Sequence, residues 1–165
     1  MSAAEWWGIL GIFLGGATPW LEAPIVIPAG LIAGLPTVPV LLAAIIGNLL
    51  TVGIAAYFGE AMRSWFSRRR EARRQELDVE AEAHRRAKTV KRRARIEKVM
   101  DRGGLPLLAL VGPVGLGTQV SAVVAVALGV RATTSFLWVS AGTVLWCVVA
   151  AYATLTGVEI LGFGG

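Results

Sequence analysis

Residues 36–59 carry no charged side chain over about 24 positions, and residues 132–157 repeat the pattern. At a rise of about 1.5 Å per residue, either stretch is long enough as a helix to cross a hydrocarbon core of about 30 Å. Within such a core every backbone polar group must be satisfied internally, which leaves helices as the natural solution for stretches of this length. The fold class expected is therefore an all-α integral membrane protein.

Charge is confined as sharply as it is excluded. Of 16 Lys and Arg, all but Arg131 fall between Arg63 and Arg102, and among the 11 acidic residues only Glu5, Glu22 and Glu159 lie outside residues 60–101. Residues 60–102 hold 15 basic and 8 acidic residues, so the positive net charge of the chain, +5, arises from this one segment. A basic run between membrane-length apolar stretches faces anionic lipid headgroups before it faces nucleic acid, so no nucleic-acid partner is expected. The segment lacks Gly and Pro and is rich in Ala, Glu, Arg and Lys, which predicts a largely helical linker that either turns back or lies along the surface. Basic residues near span ends mark the cytoplasmic side, so residues 60–102 are placed in the cytoplasm. The N-terminus has no basic region preceding a short apolar core, so no cleavable signal peptide is expected.

The segments preceding the two uncharged stretches are apolar but broken. Residues 5–34 contain Pro19, Glu22, Pro24 and Pro28 among several glycines; residues 104–129 contain Gly112, Pro113, Gly115 and Gly117. Proline removes a helix hydrogen bond, and the unbroken pieces are too short to cross alone. They read as arms of two re-entrant hairpins, with tips at residues 17–23 and 112–117. The alternative is that each broken segment crosses, giving four spans.

Sliding the sequence on itself by 95 residues brings Gly34 onto Gly129, Gly47 onto Gly142, Leu50 onto Leu145 and Ala55-Ala56-Tyr57 onto Ala150-Ala151-Tyr152. An internal duplication follows: a first repeat over residues 1–59 (hairpin 5–34, span 36–59) and a second over 103–165 (hairpin 104–129, span 131–157). With re-entrant hairpins, Arg131 returns to the cytoplasm, both termini lie outside the cell membrane, and the repeats are inverted. With four crossings, the repeat is parallel and Arg131 lies outside.

Glu22 is the sharpest functional candidate. A carboxylate inside a membrane segment is costly and is usually paired, protonated or facing water, so a role in proton coupling is weighed against solvation at headgroup depth. Asn48, inside the first span, needs a partner, either structural or a substrate. Thr118 and Gln119, with Ser121, follow the second tip and either line a cavity or cap the second arm, with Thr118 as N-cap. Pro19, Pro24, Pro28, Gly112, Pro113, Gly115 and Gly117 are expected to shape the hairpins. The helices beginning near Pro24 and Thr118 would aim positive N-terminal ends at the membrane centre, a setting that favours an anion. Trp6, Trp7, Trp20, Trp65 and Trp138 suit interfacial anchors. No cofactor or metal is expected, since His84 stands without ligand spacing, and no nucleophile–base set or phosphate loop suggests an enzyme.

The run Pro19-Trp20-Leu21-Glu22-Ala23-Pro24-Ile25-Val26-Ile27-Pro28-Ala29-Gly30, with Gly34 and Gly47-Asn48, resembles the first half of the small multidrug export protein family, a relative of the DedA superfamily. The run Val111-Gly112-Pro113-Val114-Gly115-Leu116-Gly117-Thr118 is similar to that family's glycine- and proline-rich stretch after the charged linker. The resemblance implies paired re-entrant hairpins meeting near mid-membrane and transport of lipid carriers or small cations, driven by protons. DedA proteins carry arginines around the second-hairpin proline, and residues 112–117 hold none, so phosphate-headgroup recognition does not carry over. The function expected is a small transporter acting as a homo-oligomer such as a dimer. The alternative is a membrane scaffold that binds a cytoplasmic protein through its linker.

The orientation has a direct test. In a Cys147→Ser background, single cysteines at Ser2 and Phe163 should label from outside intact cells, and one at Arg131 only from the cytoplasmic side. External labelling at Arg131 would favour four crossings.

Overall fold

The structure is a computed structural model and describes residues 2–72, 90, 94 and 103–160. Its described residues form an all-helical fold without strands. The first half comprises α1 (Ala3–Ala17), α2 (Ala23–Ile32) and α3 (Thr37–Ala72). The second comprises α4 (Leu105–Gly115), α5 (Thr118–Ala127) and α6 (Ala132–Ile160). Each uncharged stretch forms one long helix, and within α3 and α6 the segments Thr37–Arg70 and Ala132–Gly157 are long and apolar enough to cross a membrane. By contrast α2 and α5, at 10 residues each, span only about 15 Å.

The start of the linker continues α3 to Ala72, and Val90 and Ala94 are helical. The remainder of the linker expectation lies outside the described residues. The second hairpin differs from its expected form. Its turn is not a broken segment over residues 112–117, because α4 runs through Gly112 and Pro113 to Gly115. The chain reverses at Leu116 and Gly117, whose N–H groups both donate to the Gly112 carbonyl, at 2.9 and 2.8 Å. Proline in the last turn of a helix forfeits one bond without stopping it; the turn is set by the positive φ of Gly117.

The offset of 95 residues holds in three dimensions. Both α2 and α5, and the starts of α3 and α6, coincide under it. Each short helix ends in a Schellman cap: Gly34 N–H donates to Leu31 O and Leu35 N–H to Gly30 O, while Gly129 donates to Val126 O and Val130 to Ala125 O. Both capping glycines have positive φ. Among the described residues, α1 packs on α3 as α4 packs on α6, and α2 packs on α6 as α5 packs on α3. Exchanging the halves turns the set of packed helix pairs into itself.

The long helices α3 and α6 run antiparallel. Gly53 faces Phe136, the Tyr57 hydroxyl lies 3.4 Å from that of Thr133, and Glu60 Oε2 accepts the Ala132 N–H at 3.3 Å, so numbering rises along one helix as it falls along the other. One apolar cluster includes Ile27, Ala44, Cys147 and Ala151. A second includes Ala122, Val139, Val52 and Ala56, their counterparts at the same offset. Between the clusters along α3 sits Asn48, and between them along α6 its counterpart Thr143; both are fully buried.

The crossings are as tight as backbones allow. A Cβ on Gly47 would strike the Phe13 carbonyl of α1, and one on the equivalent Gly142 would strike the Ala109 carbonyl of α4. Small residues permit such approach where lipid offers no competing hydrophobic force. We expect Gly47→Ala and Gly142→Ala each to cost about 1–3 kcal/mol through overpacking, read as a lower thermal midpoint in detergent. Gly11→Ala, whose Cβ meets nothing within 4 Å, should cost nothing.

Candidate functional site

The turns of the two short-helix pairs meet at the centre of the molecule. The first is built from Thr18 to Glu22, with positive φ at Trp20 (81°) and Glu22 (42°). Such backbone is uncommon outside glycine and is held here by surrounding structure. Glu22 occupies the N-cap of α2 yet makes no side-chain bond to its own helix. Pro24, in the first turn of α2, carries no N–H to cap.

The Glu22 carboxylate instead caps the helix of the other half. Its Oε1 accepts the backbone N–H of Thr118, first residue of α5, in a short contact, and lies 3.1 Å from the Thr118 hydroxyl. This corrects the expectation of Thr118 as N-cap: Gly117 holds that position and has no side chain to offer. A Cβ on Gly117 would fall 2.9 Å from Glu22 Oε1, so the same glycine makes the turn and leaves room for the carboxylate. The positive end of α5, expected to favour a foreign anion, therefore already holds the protein's own.

Around this contact the remaining candidates assemble. Asn48 Nδ2 donates to Thr118 Oγ1 at 3.1 Å, and Asn48 Oδ1 lies 3.2 Å from the same hydroxyl. Gln119 Oε1 is 3.1 Å from that hydroxyl, and Gln119 Nε2 donates to Thr51 Oγ1 at 3.1 Å. Glu22 is only 3% exposed, while Asn48 and Thr118 are fully buried. Among the described residues no cation pairs with Glu22, and its Oε2 is buried without a hydrogen-bond partner.

Not every expected residue joins the cluster. Ser121 turns back to the Gly117 carbonyl at 2.7 Å and closes the second turn against Gly112. Pro19 lies on the first turn, Pro28 within α2 and Gly115 at the end of α4, all outside the polar group. Trp20 is 86% exposed in the first turn, some 13 positions from Trp7 or about 20 Å of helix and turn, so it does not share the level of Trp6 and Trp7. Thr51 was not singled out from sequence. Its signal was present: three residues after Asn48, it lies on the same face of α3. The described residues contain no group of His, Cys, Asp and Glu able to hold a metal.

The capping contact has a measurable consequence. Glu22→Ala strips the acceptor from a buried N–H and should cost about 1–3 kcal/mol in thermal stability. Glu22→Gln keeps a carbonyl acceptor and should melt nearer to wild type. Equal losses in both would show that the charge, not the cap, holds the turns together.

A family model described as "Putative small multi-drug export protein" matches residues 22–149, from the carboxylate at the first turn through most of α6. No curated protein and no solved structure matches the chain.

Proposed function

The chain belongs to the small multi-drug export protein family, and on that premise we propose that it is a membrane transporter exporting a small cation against protons, with Glu22 as the shared binding group. The observation that carries this reading is a shortage of protons in the central cluster. The Thr118 hydroxyl has one proton to give, yet Glu22 Oε1, Asn48 Oδ1 and Gln119 Oε1 all lie within 3.2 Å of it. Glu22 Oε2 adds a further acceptor without a donor. A buried carboxylate in such a setting is completed by a proton or by a cation.

Protonation of Glu22 would reverse one bond and release another. With Glu22 ionised, the Thr118 hydroxyl donates to the carboxylate. With Glu22 neutral, the carboxyl donates to Thr118, which then donates onward to Asn48 or Gln119. Asn48 sits on α3, and Gln119 reaches Thr51 on the same helix. A proton on the first turn is thereby communicated to the packing of α3 against α5. One carboxylate holds a proton or a cationic substrate but not both, which is the requirement for exchange.

The membrane arrangement belongs to the same proposal. The short pairs α1–α2 and α4–α5 act as re-entrant hairpins, and the halves are inverted, with both termini outside. Two features support this: α2 and α5 are about 15 Å long, and α3 and α6 run antiparallel. The side of Arg131 is supported by its neighbours. Arg63 Nη1 donates to the Val126 carbonyl at 2.7 Å, and Glu60 accepts from Ala132, so the basic end of α3 meets the joint between α5 and α6. A homodimer would cover part of the exposed apolar surface.

Purified protein in proteoliposomes with an imposed pH gradient tests the mechanism, with ethidium as the cationic probe and a polyprenyl phosphate as the anionic one. Wild type should move ethidium and not the phosphate carrier. Glu22→Gln should abolish gradient-driven flux while remaining folded, and Glu22→Asp should keep part of it with a shifted pH optimum. Wild-type flux in Glu22→Gln across the pH range would sink the coupling role.

A further inference from the structure

A cleft of about 830 Å³ lies away from the central cluster, between the second half of α3 and the outer part of α5. Phe58, Met62 and Phe66 on α3 and Val123 on α5 form its apolar wall, and Phe58 and Phe66 are at least half exposed. Arg63, Ser67 and Arg70 line it too, at i, i+4 and i+7 on one face of α3, and among the described residues no acidic side chain does. From Ala55 to Met62 the α3 wall is wholly apolar, and from Arg63 to Arg70 it carries both arginines and Ser67 beside Phe66. From Ala55 to Arg70 the wall rises about 22 Å, whereas half of a hydrocarbon core is about 15 Å deep. With α3 crossing the membrane, the Ala55 end lies among acyl chains and the Arg70 end among headgroups.

We infer that this cleft holds one anionic phospholipid of the leaflet that faces the basic segment. Its phosphate sits between Arg63, Ser67 and Arg70, and one acyl chain runs along Phe58, Met62 and Phe66 against Val123. A guanidinium fork matches phosphate oxygens in pairs, and Arg63 uses Nη1 on the Val126 carbonyl while keeping further N–H donors. Arg69 offers the contrast. Its guanidinium stacks on Trp65, 4.7 Å from the ring centroid, and it does not line the cleft. A lipid bound here bridges α3 and α5, the two helices that Gln119 and Asn48 already join, and so braces them from outside. The inference rests on the membrane placement of α3 and is independent of Glu22 and of any flux.

The test uses the full chain, purified in detergent and supplemented with phosphatidylglycerol, phosphatidylcholine of the same acyl chains, or inorganic phosphate. Native mass spectrometry should show one phosphatidylglycerol retained per chain, and the thermal midpoint should rise saturably with that lipid alone. Arg70→Gln should weaken phosphatidylglycerol binding about fivefold, the share of one surface arginine, while Arg69→Gln leaves it unchanged. Gly59→Leu, which fills the cleft from α3, should exclude the lipid while helicity is retained, so the outcome does not hang on one variant. Equal stabilisation by phosphatidylcholine, equal loss in Arg69→Gln, or a full shift from inorganic phosphate would each overturn the inference.

Discussion

One carboxylate joins the two halves of this protein at their centre. Glu22 leaves its own helix uncapped and accepts the N–H of Thr118, at the positive end of a helix 96 positions further along the chain. A helix N-terminus buried without a partner is expensive, and α5 has only glycine at its N-cap. Without Glu22 the second turn would carry an orphaned donor at the fully buried Thr118. Without Thr118 the first turn would carry an anion with no partner. Each turn therefore supplies what the other lacks, and the helices that pack around them inherit that constraint.

The correspondence between the halves at an offset of 95 residues holds in helix bounds and packing but not in chemistry, and the difference makes the site. Glu22 and Gly117 share the same N-cap position and both have positive φ. Yet one carries a carboxylate and the other nothing. Thr118 corresponds to Ala23, and Asn48 to Thr143, whose hydroxyl donates to the Val139 carbonyl of its own helix. A symmetric version would place either two carboxylates face to face or none. Two like charges in contact would repel strongly in a dry interior. A single carboxylate against a single helix end avoids that conflict.

The tight crossings give this centre its frame. Gly47 and Gly142 bring α1 onto α3 and α4 onto α6 with no room for a methyl group, and the Schellman caps at Gly34 and Gly129 return the chain into the long helices. At the basic end, Arg63 and Glu60 hold the joint between α5 and α6. Its counterpart in the first half has no such pair, since residues 155 and 158 are Leu and Val. The frame is thus tied by charged side chains at the basic end and by close packing elsewhere.

Charge distribution by itself determined much of this protein: two helices of membrane length, one basic segment between them, and halves related by a fixed offset. Those are properties of composition and period, and they need no knowledge of what touches what. The sequence also marked Glu22, Asn48, Thr118 and Gln119 as polar residues in apolar surroundings, since such residues are costly unless satisfied. It could not say that they meet. Glu22 and Thr118 lie far apart in sequence, and the partner of a buried polar group is set by packing, not by local spacing. The second turn was misread for a related reason: Gly112 and Pro113 are poor helix formers, but propensity is weak, and packing of α4 against α6 overrides it. Thr51 was passed over because a threonine in an apolar helix can bond its own backbone, as it also does here to the Asn48 carbonyl. Only the tertiary structure, by laying α5 against α3, turned a scatter of separately plausible residues into one connected site.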